Sequence, residues 1–189
     1  FRIRPGEILG LVGLRGAGHH TIGRAIFGAL PPSGGTLKLA GYACTFDGPE
    51  AAMAAGIGFI SSKRGEESLA ANMAVRENLF LNPVVTGHPL LRMMRPRDER
   101  QAADGLISRF SIRPADGERP VATLSGGNQQ KVVVARWLAA KVRLLVLEEP
   151  TIGVDVGSKA EIYALLQQAL SSGMAVLLIS SDFEEIERI

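Results

Sequence analysis

A single cysteine, Cys44, among 189 residues leaves no partner for a disulfide within the chain. That suits a reducing compartment without requiring one. Long apolar runs are missing too. Stretches such as Leu144–Leu147 and Met174–Ile179 fall far short of the roughly 20 residues that a membrane-spanning helix needs. Charge of one sign is scarce: 21 basic against 19 acidic residues leave a formal net charge of +2. No basic or aromatic stripe stands out, which argues against a surface that coats nucleic acid. No internal repeat or low-complexity tract is visible. Apolar material, by contrast, is ample at 46% of residues, enough for the core of one domain with at most a small subdomain. The chain opens mid-pattern at Phe1 and stops inside an apparent helix at Ile189, so a longer parent is expected.

Strand patterns fall at Ile8–Val12, Thr36–Leu39, Gly58–Ile60, Leu144–Leu147 and Ala175–Ile179. The first and the last two are continuous aliphatic runs, as expected of strands covered on both faces. Helical patterns alternate with them. Ser158–Leu170 sets Ile162, Leu165, Leu166, Ala169 and Leu170 on one stripe, and Gly173 follows as a stop. The alternation predicts an α/β domain with a largely parallel sheet. From about Asn72 to Ala140 the patterns are helical, with Arg97–Phe110 amphipathic and Asn82–Pro96 a loop broken by prolines and Gly87. This middle stretch is either an ordinary helical insertion or a functional subdomain.

The first chemical motif follows the first strand. Gly13, Leu14, Arg15, Gly16, Ala17 and Gly18 lie between Ile8–Val12 and a helical pattern starting at His19. Strand, glycine loop and helix is the context a phosphate-binding loop requires. The glycines let backbone N–H groups curl inward, and the helix start adds free donors and a positive dipole end. The usual loop ends in lysine and then serine or threonine. Here those places hold His19 and His20, with Thr21 one place late. A lysine is a permanent point charge on a long stem; an imidazole is shorter, and His20 removes the hydroxyl that ordinarily holds Mg²⁺. The loop alone is compatible with a bare glycine turn, with weak nucleotide binding, or with full catalysis, although two chemical roles stand vacant for the last.

Leu144–Leu147 runs into Glu148, Glu149, Pro150 and Thr151. One carboxylate at the end of a buried strand can hold Mg²⁺, and the next can polarise an attacking water. The usual order is Asp then Glu. Glu148 takes the Asp place with one methylene more, which suits the tight octahedral geometry of magnesium poorly; Glu149 keeps the general-base place. Taken alone, the pair is more often a solvated strand edge or a helix cap. A third motif, Leu124–Lys131, reads LSGGNQQK and leads into Val132–Leu138. Ser125, Gly126 and Gly127 at a helix start make a second anion-binding terminus, or a plain serine–glycine cap.

Taken together and in this order, GLRGAG, LSGGNQQK, LLVLEEPT, Gly153–Asp155 and Ile179–Asp182 resemble the nucleotide-binding domain of ATP-binding cassette transporters over nearly the whole chain. The extension NQQK and the stretch Phe59–Arg64 look like the second cassette of bacterial ribose-, galactose- or xylose-type sugar importers. The resemblance implies a P-loop core with a mostly parallel sheet flanked by helices (residues 1–71 and 141–189), a helical subdomain (72–140), and a small β element near the start. It implies ATP and Mg²⁺ as ligands and a head-to-tail partner cassette. Gly13, Gly16, Ala17, Gly18, His19, His20 and Thr21 would face this domain's own nucleotide. Ser125, Gly126 and Gly127 would contact a nucleotide held by the partner, with Asp155 at the interface. Glu148 and Ser61, the latter near the place of the Q-loop glutamine, would be the metal ligands. Glu149 would be the general base, and Ser181 stands in the place of the switch histidine.

Motifs serving the domain's own site are thus altered at His19, His20, Ser61, Glu148 and Ser181, while the one serving a partner is intact. The expectation is a degenerate cassette of a sugar importer at the cytoplasmic face of the bacterial inner membrane. It would work with a second cassette, membrane permease subunits and, indirectly, a periplasmic sugar-binding protein, without nucleic acid. The alternatives are a fully active transport ATPase, a soluble cassette acting on nucleic acid or ribosomes, and a binding-only module.

Overall fold

Four strands with aliphatic sequences line up in parallel at the centre of the molecule. The computed structural model describes residues 1–14, 16–81, 94–140 and 142–188. In chain order its main elements are β1 (Ile8–Val12), α1 (His19–Ile26), β2 (Leu37–Leu39), β3 (Tyr42–Cys44), α2 (Pro49–Ala54), β4 (Ile57–Ile60), α3 (Val75–Leu79), α4 (Pro96–Arg109), α5 (Gly126–Ala139), β5 (Leu144–Glu148), α6 (Val156–Ser171), β6 (Ala175–Ser180) and α7 (Phe183–Glu187). The main sheet has the order β1-β6-β5-β4, and all three pairings are parallel.

Side chains alternate across a strand with period two, and here both faces are covered. Leu145, Leu147, Val176 and Leu178 join the residues of α5 and α6 in one core. Their neighbours Val146, Leu177 and Ile179 join Ile26, Phe27, Ala52 and Ile57 in another on the opposite face. That is why β5 and β6 read as unbroken aliphatic runs. Gly23 lets α1 lie close on this second face: a Cβ there would stand 2.5 Å from Ile179 Cδ1.

The helix boundaries follow from local chemistry. Ser125 caps α5 by accepting from the Asn128 backbone N–H, and Asp155 caps α6 by accepting from that of Ser158. The second cap is why α6 begins two residues before the expected Ser158. Gly173, at φ +91°, follows its end as the sequence predicts. Pro96 opens α4 at a position where its missing N–H costs nothing.

The sheet differs from the sequence reading in one element. β2 pairs antiparallel with β3, a strand the pattern does not reveal. The two-residue turn between them is Ala40-Gly41, with both φ values positive. It lacks the Asn-Gly or Asp-Gly signal that marks such turns, and Tyr42 and Ala43 are exposed, so no apolar pattern betrays the strand. No strand occurs among the described residues between 72 and 140. Most of the expected loop Asn82–Pro96, residues 82–93, lies outside the described residues.

Candidate functional site

The register brings four strand ends to one edge. Val12 pairs with Ser180, Glu148 with Ile179, and Ile60 with Leu147. The residues that follow, from Gly13, Ser61, Glu149 and Ser181, therefore converge at the carboxyl ends of the parallel strands, where α/β sheets take their ligands.

At the first strand end the glycine loop turns into α1. Gly16 and Gly18 have φ values of +89° and +88°, a region closed to most side chains. Ala17 donates its N–H to Leu14 at 3.0 Å, and Gly13 donates to Ser180 at 3.3 Å. His19 does not reach out of the loop as a lysine would. Its residue is 6% exposed, and a Cβ at Gly13 would stand 3.0 Å from its Nδ1. Neither ring nitrogen has a hydrogen-bond partner. His20 packs beside it with ring centroids 4.3 Å apart. The His20 Nε2 lies 3.5 Å from Glu149 Oε1 and its Nδ1 3.9 Å from Glu148 Oε1. Thr21 is exposed.

Glu148 is fully buried and held by a cation of the same chain. Arg24, four residues after His20 on α1, donates Nε to Oε1 at 3.1 Å and Nη2 to Oε2 at 3.0 Å. The same Nη2 lies 2.9 Å from Glu67 Oε2 and 3.2 Å from Ser61 Oγ. Ser61 in turn donates its hydroxyl to Glu67 at 2.6 Å and accepts the Lys63 N–H at 3.0 Å. Burial works against the Arg24 cation, yet its hydrogen bonds to Glu67 and Glu148 prevail and hold the guanidinium above its ordinary value. The Ser61 hydroxyl, and after it Arg24, keep the Glu67 carboxyl below its ordinary range despite the cost of burial.

These residues fit magnesium poorly. The ion wants free, hard oxygens in octahedral array. Glu148 is already chelated by a guanidinium, the Ser61 hydroxyl is engaged on both sides, and an imidazole stands where a hydroxyl is needed.

Glu149 adopts φ +46°, strained for a residue with a side chain. Its carboxylate turns toward the end of β6. Oε1 accepts the Ser181 N–H at 2.8 Å, and Oε2 lies 3.3 Å from the Ser180 hydroxyl. Ser181 thus contributes its backbone at this point. The Ser180 hydroxyl has a shorter bond, 2.6 Å, to Glu185.

The Ser125 motif forms a separate surface. No hydrogen bond among the described residues joins Ser125, Gly126 or Gly127 to the loop of residues 13–21. The Ser125 Oγ accepts from Asn128 Nδ2 at 2.9 Å. The two glycines are required by packing: a Cβ on Gly126 would meet the Gly153 carbonyl oxygen at 2.6 Å, and one on Gly127 would collide with Ser158. Asp155 accepts from the Ser158 backbone and hydroxyl at 2.9 and 2.8 Å, the backbone bond first among the causes that lower its carboxyl below the ordinary range. The motif's polar tail points inward. Lys131 donates Nζ to the Ser111 carbonyl at 2.6 Å and to Glu161 at 2.8 Å. Gln130, also buried, accepts from Arg64 Nη1 at 3.2 Å.

Comparison with known proteins decides the family. A model of the ABC transporter family matches residues 1–152. The chain belongs to that family, as an ATP-binding domain. The cassette is 44% identical over 186 residues to a putative ribose/galactose/methyl galactoside import ATP-binding protein of Agrobacterium fabrum, covering 98% of this chain and 37% of that protein. It is 42% identical to the ribose import ATP-binding protein RbsA of Chromobacterium violaceum, with the same coverage. An arabinose import ATP-binding protein of Burkholderia ambifaria shares 41% identity, with 98% of this chain and 36% of that protein covered. The chain therefore spans little more than a third of the length of these relatives. Among solved structures, a dimeric bacterial ABC transporter cassette superposes with a TM-score of 0.82 at 22% identity, covering 99% of this chain and 80% of that one. A post-hydrolysis cassette bound to ADP and Pi gives 0.80 at 23% identity, covering 98% of this chain and 79% of that one. These two establish the cassette fold.

Two groups central to the site escape the sequence reading. Arg24 lies one helical turn beyond His20, so the spacing puts both on one face; only the sheet register shows that this face meets Glu148. Glu67 lies in a π-helical turn, Arg64–Ser68, with no motif to announce it.

Proposed function

We propose that this cassette serves a bacterial sugar importer as the half whose own phosphate site is degenerate. It lends the Ser125–Gly127 helix start to a triphosphate held by a second cassette. The observation that carries this reading is the bidentate Arg24–Glu148 pair, which occupies the carboxylate that the family's chemistry requires for a metal, next to a loop without its lysine. The capped start of α5 keeps its glycines and its hydroxyl.

On this reading the parallel-sheet core of residues 1–71 and 141–189 carries the altered site, and residues 72–140 form a helical subdomain that presents the signature. The backbone N–H groups of Gly13–Gly18 and the start of α1 bind phosphate without side-chain charge. Ser181, Glu149 and His20 line the same edge, and Asp155 orients the loop beside Gly126 and Gly127. Nucleotide contacts made only in the closed pair drive the two cassettes together, as a population shift requires. Membrane permease subunits take up that motion at the cytoplasmic face of the inner membrane, and a periplasmic sugar-binding protein delivers the cargo. The names of the relatives, all sugar importers, support the transport assignment.

Glu149→Gln in the full-length protein tests the reading against a fully active site. Phosphate release that largely survives the substitution supports the degenerate half; release that is abolished favours catalysis by Glu149 itself.

A further inference from the structure

We propose that His19, His20 and Glu149 form a site for zinc, in the place where the ordinary loop would hold its lysine and magnesium. The three side chains each offer one ligand atom, and these atoms lie within 4.8 Å of one another. Around a tetrahedral zinc with bonds near 2.0–2.2 Å, ligand atoms sit roughly 3.4 Å apart. The His20 Nε2 to Glu149 Oε1 separation of 3.5 Å already matches that spacing. The His19 ligand atom lies within 4.8 Å of both of the others.

A second observation points to a ligand independently of the spacing. His19 is 94% buried by its 6% exposure, and both of its ring nitrogens lack a hydrogen-bond partner. A buried imidazole with neither nitrogen satisfied is rare in a folded protein and calls for a bound group. Two imidazoles and one carboxylate suit zinc, and leave a fourth position open. Magnesium, which prefers oxygen, is disfavoured by the same set.

The surroundings support this arrangement. While His20 Nε2 faces Glu149, its Nδ1 faces Glu148, and Arg24 clamps that carboxylate on both oxygens. A metal-bound imidazole is ordinarily oriented by a carboxylate on its far nitrogen. The Ser181 N–H fixes the Glu149 carboxylate by a 2.8 Å bond to Oε1. A dication here would give the loop the positive charge that a lysine ordinarily supplies in that place. The site rests on side-chain geometry alone and stands whether or not the transport reading does.

The test uses full-length, tag-free protein stripped of metal and titrated with Zn²⁺ against a chromophoric chelator, without nucleotide. The expected result is one micromolar-or-tighter zinc equivalent per chain that is weakened at least tenfold in His20→Ala. Millimolar Mg²⁺ does not displace it. His20→Asn serves as the second variant should His20→Ala fail to fold, and a Co²⁺-loaded wild-type spectrum with nitrogen-ligand d–d bands gives a reading that needs no variant. Absence of such binding, binding unchanged in the folded His20 variant, or displacement by magnesium overturns the proposal.

Discussion

Arg24 and Glu148 are joined by two parallel hydrogen bonds, Nε to Oε1 at 3.1 Å and Nη2 to Oε2 at 3.0 Å. Glu148 is fully buried, while Arg24 keeps 26% of its side chain exposed. Removing the cation strands a carboxylate in the core. Breaking a fully buried pair costs about 3–5 kcal/mol, and the exposure of Arg24 moves this one toward the lower end. Arg24→Met should therefore lower stability by about 3 kcal/mol, read from the urea midpoint. The double variant Arg24→Met, Glu148→Gln should recover a large part of that loss, because no fully buried charge is then left unpaired and Glu67, the other partner of Arg24, is partly open to water.

Lys131 belongs to the signature stretch by sequence, yet its Nζ is spent on the Ser111 carbonyl and Glu161. Ser111 has φ +50°, so this bond fixes a strained turn. Lys131→Met should cost about 1–2 kcal/mol, the net worth of a charge-assisted hydrogen bond, because the acceptors it leaves belong to exposed residues, Ser111 and Glu161, that water can reach. Nucleotide affinity of the folded variant should be unchanged, as isothermal titration would show.

The close approach of Gly127 to Ser158 gives a packing test. Gly127→Ala gains helix propensity of up to about 1 kcal/mol, but its Cβ collides with the Ser158 side chain and comes within 3.1 Å of Asp155 Oδ2. Overpacking of this kind costs about 1–3 kcal/mol, so a net fall in thermal stability is expected. Ser158→Gly in the same chain should restore part of it.

A pH dependence follows from the ion-pair network around Glu118. Its carboxylate accepts from Arg100 Nε at 2.8 Å and from Arg76 Nε at 3.0 Å. These bonds, Arg100 first, hold the carboxyl below its ordinary range. A carboxyl with a lowered folded pKa stabilises the fold above its unfolded pKa, and that contribution is lost as pH falls through the folded one. Glu118→Gln should flatten the acid limb of a stability–pH curve. Because the group is exposed, salt should shrink the difference between variant and parent.

The strands that sequence reveals best are those whose two faces are both covered. β5 and β6 are continuous aliphatic runs because both of their faces are buried, whereas β1, expected to be covered on both faces, is an edge strand with Gly10 and Val12 exposed. The exposed strand Tyr42–Cys44 has no such mark, and its Ala40-Gly41 turn carries a weak signal. The candidate site divides in the same way. Gly13–Gly18, Ser125–Gly127 and Glu148–Glu149 are contiguous, so spacing alone exposes them. Arg24 and Glu67 come to Glu148 and Ser61 from 124 and 6 residues away, and the longer of those separations is set by sheet register, not by local sequence. The bonds of Lys131 to Ser111 and Glu161, 20 and 30 residues away, are likewise set by tertiary packing.

The most direct measurement is steady-state phosphate release by the full-length protein after changing Ser125 and His19 separately. A cassette that lends its helix start to a neighbour's triphosphate loses release in Ser125→Arg and keeps most of it in His19→Ala. The opposite pattern, with release intact in Ser125→Arg and lost in His19→Ala, would show that this domain works on a nucleotide of its own.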